Sequence, residues 1–111
     1  MTGLATGNGL PNLVVTGVAM TTALATDAIT TWQKLLDGHS GIRKLEDPFV
    51  EEYDLPVRIG GHLLEDFEDE LTRIELRRLS YLQRMSTVLS RRVWKDAADP
   101  EVDPKRLMVS I

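Results

Sequence analysis

Two histidines, a cluster of carboxylates and a run of arginines are the residues of this 111-residue chain whose types could do chemistry, and no cysteine accompanies them. The missing thiol excludes disulfides, thiolate metal sites and a cysteine nucleophile within these residues, and it suits a reducing compartment. His39 stands in the turn sequence Gly38-His39-Ser40-Gly41, and His62 follows Gly60-Gly61. A metal or acid/base role would need partners at defined spacing, as on a His-Glu-x-x-His helix, and neither histidine lies in that pattern. Both read as turn or surface histidines. The stretch "GGHLLEDFEDE" holds Glu65, Asp66, Glu68, Asp69 and Glu70 but lacks the Asp-x-Asp-x-Asp-Gly spacing and terminal glutamate of a calcium loop. It reads as a solvated acidic loop, with Asp69 and Glu70 just ahead of a helix start, where the helix dipole favours negative charge. "GLATGNG" has the glycines of a phosphate-binding turn, yet it precedes the first predicted strand and opens no helix. No catalytic, cofactor-binding or metal residue is expected here.

The arginines carry the one functional claim. A net charge of −4 averages over two opposed segments. Residues 46–70 hold ten acidic residues against one basic, Arg58, whereas residues 72–95 hold seven basic against one acidic, Glu75, or +6. Arg73 and Arg77 are four apart and Arg84 and Arg91 seven apart, so each pair shares a helical face, with Arg78, Arg92 and Lys95 flanking. Such a series is either a solvated face, paired in part with the acidic segment before it, or a docking surface for an acidic partner. A nucleic-acid role is the weakest reading, because the chain is acidic overall, no aromatic accompanies the arginines in a stacking pattern, and no module motif is present.

The elements that must position these residues follow from periodicity and capping. After a glycine-rich lead over residues 1–12, "LVVTGVAM" at 13–20 is β-branched and apolar on both faces, the pattern of a strand buried from both sides. Thr26 or Asp27 caps a helix with Ile29, Trp32, Leu35 and Leu36 on one face, and Gly38 falls just past its end. Residues 47–56 read as acidic irregular structure and "VRIGGHL" at 57–63 as a short weak strand. Thr72-x-x-Glu75 and Ser80-x-x-Gln83 both match the capping box, which predicts a short helix and then a long one to about residue 97, with Leu82, Met85, Val88, Leu89 and Val93 on its buried stripe. Trp32 and Trp94 read as core or partner-facing aromatics. The chain closes on "KRLMVSI", whose apolar run again reads as a buried strand.

Strand, helix, excursion, helices, strand is an α/β arrangement with two parallel strands joined by a long crossover. Two buried strands are too few for a sheet covered on both faces, which needs more strands and a second helical layer than these residues supply. No stretch approaches the length of a membrane span, and the start lacks a signal peptide's charged and apolar regions, so a cytoplasmic chain is expected.

"LVVTGVAMTTALATDAITTWQKLLDGHSGI", "FVEEYDLPVRIGGHL", "IELRRLSYLQRM" and "DPKRLMVSI" resemble successive parts of elongating β-ketoacyl-acyl carrier protein synthases, and among them the mycobacterial synthases that lengthen meromycolate chains for mycolic acids. The resemblance implies an incomplete N-terminal portion of the thiolase-like αβαβα fold, with residues 13–111 ending before the family's glycine-rich segment and its nucleophile. It further implies a homodimeric acyltransferase that condenses malonyl-carrier protein with a long acyl chain, using a cysteine and two histidines that His39 and His62 do not match. Arg73, Arg77 and Arg78 resemble the family's patch for acyl carrier protein. The alternative is a non-enzymatic module that retains only carrier-protein docking or associates with an intact synthase.

The isolated chain should therefore form no β-ketoacyl product from acyl- and malonyl-carrier protein, since it supplies no thiol to accept the acyl group. Product above a protein-free blank in that assay would contradict this.

Overall fold

Local hydrogen bonding sets the helix starts. In the computed structural model, which describes residue 7 and residues 9–111, helix α1 (Ala28–Leu36) begins where the Asp27 carboxylate accepts from the Thr30 N–H at 2.8 Å. Helices α3 (Arg73–Arg78) and α4 (Tyr81–Asp96) each open on a complete capping box, Thr72 with Glu75 and Ser80 with Gln83. In each box the hydroxyl and the returning side chain satisfy amides that the first turn leaves without partners.

Helix ends are closed by the backbone. After α1 the Gly38 N–H reaches Leu35 O and the His39 N–H reaches Lys34 O, a Schellman pair that needs the left-handed φ of +74° at Gly38. A further helix, α2 (Pro48–Glu52), stops the same way with Asp54 at φ +44°, and α4 with Ala98 at φ +62°. Residues 47–56 were expected to be irregular. Pro48 at the first helical position, where no N–H is needed, instead starts α2 and buries Val50.

The strand expectations need the larger correction. Residues 13–20 and 107–111 form no ladder among the described residues, and Leu13, Val15, Met108 and Ile111 are more than four-fifths exposed. Apolar pattern expresses a preference for burial, but a strand also requires a neighbour to exchange hydrogen bonds with. Beside residues 17–18 lies the end of α4: the Val18 N–H donates to Asp96 Oδ2 at 2.8 Å. A Cβ on Gly17 would lie 2.6 Å from the Val93 carbonyl oxygen. The last stretch follows a 3₁₀ turn, Pro104–Arg106. The one sheet among the described residues is antiparallel rather than parallel, pairing β1 (Arg43–Lys44) with β2 (Ile59–Gly60) in the register Arg43 to Gly60. The expected weak strand at 57–63 thus shrinks to two residues, and the three expected helices become four among the described residues.

The core is small and lies between the acidic loop and α4. Phe67, Leu71 and Val88 are buried there, with Leu63, Leu76, Leu79 and Met85 packed around them. Phe67 adopts φ +66°, uncommon for a bulky residue, and its ring meets Tyr81 at a centroid distance of 5.8 Å. Trp32 is 62% exposed and contributes nothing to this core.

Hydrogen exchange should separate these regions. Amides of Val88 and Leu89, inside α4 and over the core, should be the most protected, whereas those of Val14, Val15, Met108 and Val109 should exchange at nearly unfolded rates. Strong protection of the latter set in a monomer would show a ladder that this fold does not contain.

Candidate functional site

Helix α3 is short, yet its orientation is fixed from both sides. Thr72 N–H donates to Glu75 Oε2 at 2.9 Å, and Glu75 N–H donates to Thr72 Oγ1 at 3.3 Å. Glu75 is also gripped from α4, where Arg91 Nη2 donates to Oε1 at 2.5 Å. Leu76 turns toward the core. At 3.6 residues per turn the remaining positions Arg73, Arg77, Ile74 and Arg78 fall, in that order, within an arc of about 140°. All four are exposed.

The structure divides the basic series. Arg84 is tied down by the Leu76 and Leu79 carbonyls at 2.6 and 3.1 Å and reaches Glu68 at 3.5 Å. Arg91 pairs with Glu75, and Arg92 holds Glu65 through two bonds of 2.8 and 2.7 Å and also contacts Glu70. Arg73, Arg77 and Arg78 have no ion-pair partner among the described residues. The paired reading therefore holds for Arg84, Arg91 and Arg92. On α4, Arg84 and Arg92 pair with carboxylates of the acidic loop and Arg91 with Glu75 of α3, and the arginines of α3 keep their charge available.

The paired carboxylates respond as their donors require. Glu75 is held at about 2, below its ordinary 4.5, chiefly because Arg91 donates to it, with the Thr72 N–H adding to the effect. Hydrogen bonds from Arg92 lower Glu65 against the opposing effect of burial, and Arg92 in turn is raised by Glu65 and Glu70.

The other chemistry-bearing residues do not converge. The His39 N–H serves the end of α1, and His62 Nε2 lies 3.1 Å from Asp47 Oδ2, a partner fifteen positions away that sequence spacing did not indicate. An open cleft of about 560 Å³ is lined by Arg43, Lys44, Glu46, Asp47, Pro48, Gly60 and His62. Among the described residues no three His, Asp or Glu side chains are placed to share a metal ion, and no helix is long and apolar enough to cross a membrane. The sequence reading passed over Ile74, although its position between Arg73 and Arg77 on one side and Arg78 on the other could have been read from helical spacing alone.

A helical, ion-pair-stitched α/β unit that presents a basic helix matches one family over nearly its whole length. Residues 11–111 match the model of the β-ketoacyl synthase N-terminal domain, and the chain belongs to that family. It is 74% identical over 111 residues to the 3-oxoacyl-(acyl-carrier-protein) synthase 2 of Mycobacterium tuberculosis H37Rv, covering all of this chain and 27% of that relative. The Mycobacterium leprae protein of the same name is 72% identical over 108 residues, and that of Staphylococcus aureus strain COL is 31% identical over 86 residues, 77% of this chain. The chain thus spans about a quarter of the length of the mycobacterial relatives it matches. The family is a thiolase-like α/β fold, of which the four helices and two-stranded sheet are a part.

Because the folded pKa of Glu75 lies below its unfolded value, the stabilisation it brings is fully present above about pH 4.5 and is lost as the pH falls toward 2. An NMR titration of the Glu75 carboxyl should show a midpoint near 2, and Arg91→Ala should move it upward while leaving it below 4.5, because the Thr72 amide still donates. An unmoved midpoint would mean that Arg91 is not the main cause.

Proposed function

We propose that this chain is the N-terminal part of a β-ketoacyl-acyl carrier protein synthase, an acyltransferase that condenses malonyl-carrier protein with a long acyl chain during fatty acid and mycolic acid elongation. In this reading the synthase works in the cytoplasm as a homodimer, and α3 contributes to the surface on which the acidic carrier protein docks. One observation carries the docking role: Arg73, Arg77 and Arg78 have no ion-pair partner among the described residues, while their neighbours on α4 are neutralised. An unpaired guanidinium cluster on a fixed helix raises the local concentration of an acidic partner and sets its orientation, gaining rate and register more than affinity. Acyl transfer and decarboxylation require a thiol and histidines that the resemblance locates elsewhere in such a synthase, so these residues bring the substrate carrier in and do not touch the reacting bonds.

The test compares a full-length synthase containing this segment with its Arg73→Glu, Arg77→Glu, Arg78→Glu triple variant. Association with acyl carrier protein should slow about 10- to 100-fold at low salt, and the difference should shrink as salt screens the charges. Turnover of a small carrier-free thioester should change little. Equal losses on both substrates would assign the arginines to the fold, and no loss on either would make α3 an ordinary solvated face.

A further inference from the structure

We propose that Ile74 is the apolar seat of this dock, against which the carrier protein sets an apolar side chain flanked by its own carboxylates. The inference rests on the docking reading above and specifies what that surface selects. Ile74 is 64% exposed. A lone exposed isoleucine means little, but this one lies on the helix wheel between the unpaired Arg73 and Arg77 on one side and the unpaired Arg78 on the other. The rest of α3 is spent, with Leu76 against the core and Glu75 held by Arg91. An apolar centre inside a charged rim is the anatomy of a specific protein interface. A purely electrostatic dock would gain from a cation at the centre, whereas isoleucine rewards only apolar atoms, and its branched Cβ leaves little rotamer freedom to lose on binding. The roles separate kinetically: rim charges govern association, and the desolvated centre governs dissociation.

The experiment measures association and dissociation rates of acyl carrier protein on the full-length synthase, with melting temperature recorded for every variant. Ile74→Ala should raise the dissociation rate about tenfold while leaving the association rate and its salt dependence nearly unchanged. Ile74→Lys should also weaken binding, despite its added positive charge. Arg77→Ala should instead slow association. An unchanged dissociation rate for Ile74→Ala, or tighter binding by Ile74→Lys, overturns the seat; if Arg77→Ala still slows association, the dock itself stands. If Arg77→Ala has no effect either, the docking reading falls and takes the seat with it. A marked fall in melting temperature for Ile74→Ala shows a side chain packed within the synthase, which also overturns the proposal.

Discussion

A single guanidinium holds the middle of this chain together. Arg92 on α4 grips Glu65 and Glu70, which lie on either side of Phe67 in a loop without regular hydrogen bonding of its own. The loop carries two of the three buried residues of the core, so its position must be imposed from outside. Partial burial makes the arrangement consequential, because an arginine deprived of its carboxylates there would remain desolvated and unpaired. The uncommon backbone of Phe67 persists for the same reason: the surroundings over-determine it.

What could be read from the residues alone was the local chemistry. Asp27, Thr72 and Ser80 announced their helices through spacing to the amides they cap, and Gly38 announced an ending. These signals act within a few residues and survive any tertiary context. Residues 13–20 and 107–111 misled because strand formation is a property of a pair, and an apolar run in one segment says nothing about whether a neighbour lies alongside. Ala98 could not announce its turn, since a left-handed alanine leaves no compositional mark. For the site, the sequence showed a basic series but not its partition. Which arginines meet carboxylates depends on how the acidic loop folds back over α4, a contact between residues sixteen to twenty-seven positions apart.

That partition gives the acidic loop a second consequence. By pairing with Arg84 and Arg92, while Glu75 takes Arg91, it leaves the α3 arginines as the unpaired part of the arginine series. Glu75 serves both functions, completing the cap of α3 and anchoring it to α4, so the helix that carries the charge is aimed by the same carboxylate that starts it.

Gly17 imposes a different kind of limit. A Cβ there would fall 2.6 Å from the Val93 carbonyl oxygen and 2.9 Å from both the backbone nitrogen and the Cβ of Ala97, and the nearest of these are backbone atoms that cannot rotate away. Every other amino acid begins with that carbon. Any side chain at this position, whatever its polarity or size, therefore requires the segment and the end of α4 to move apart.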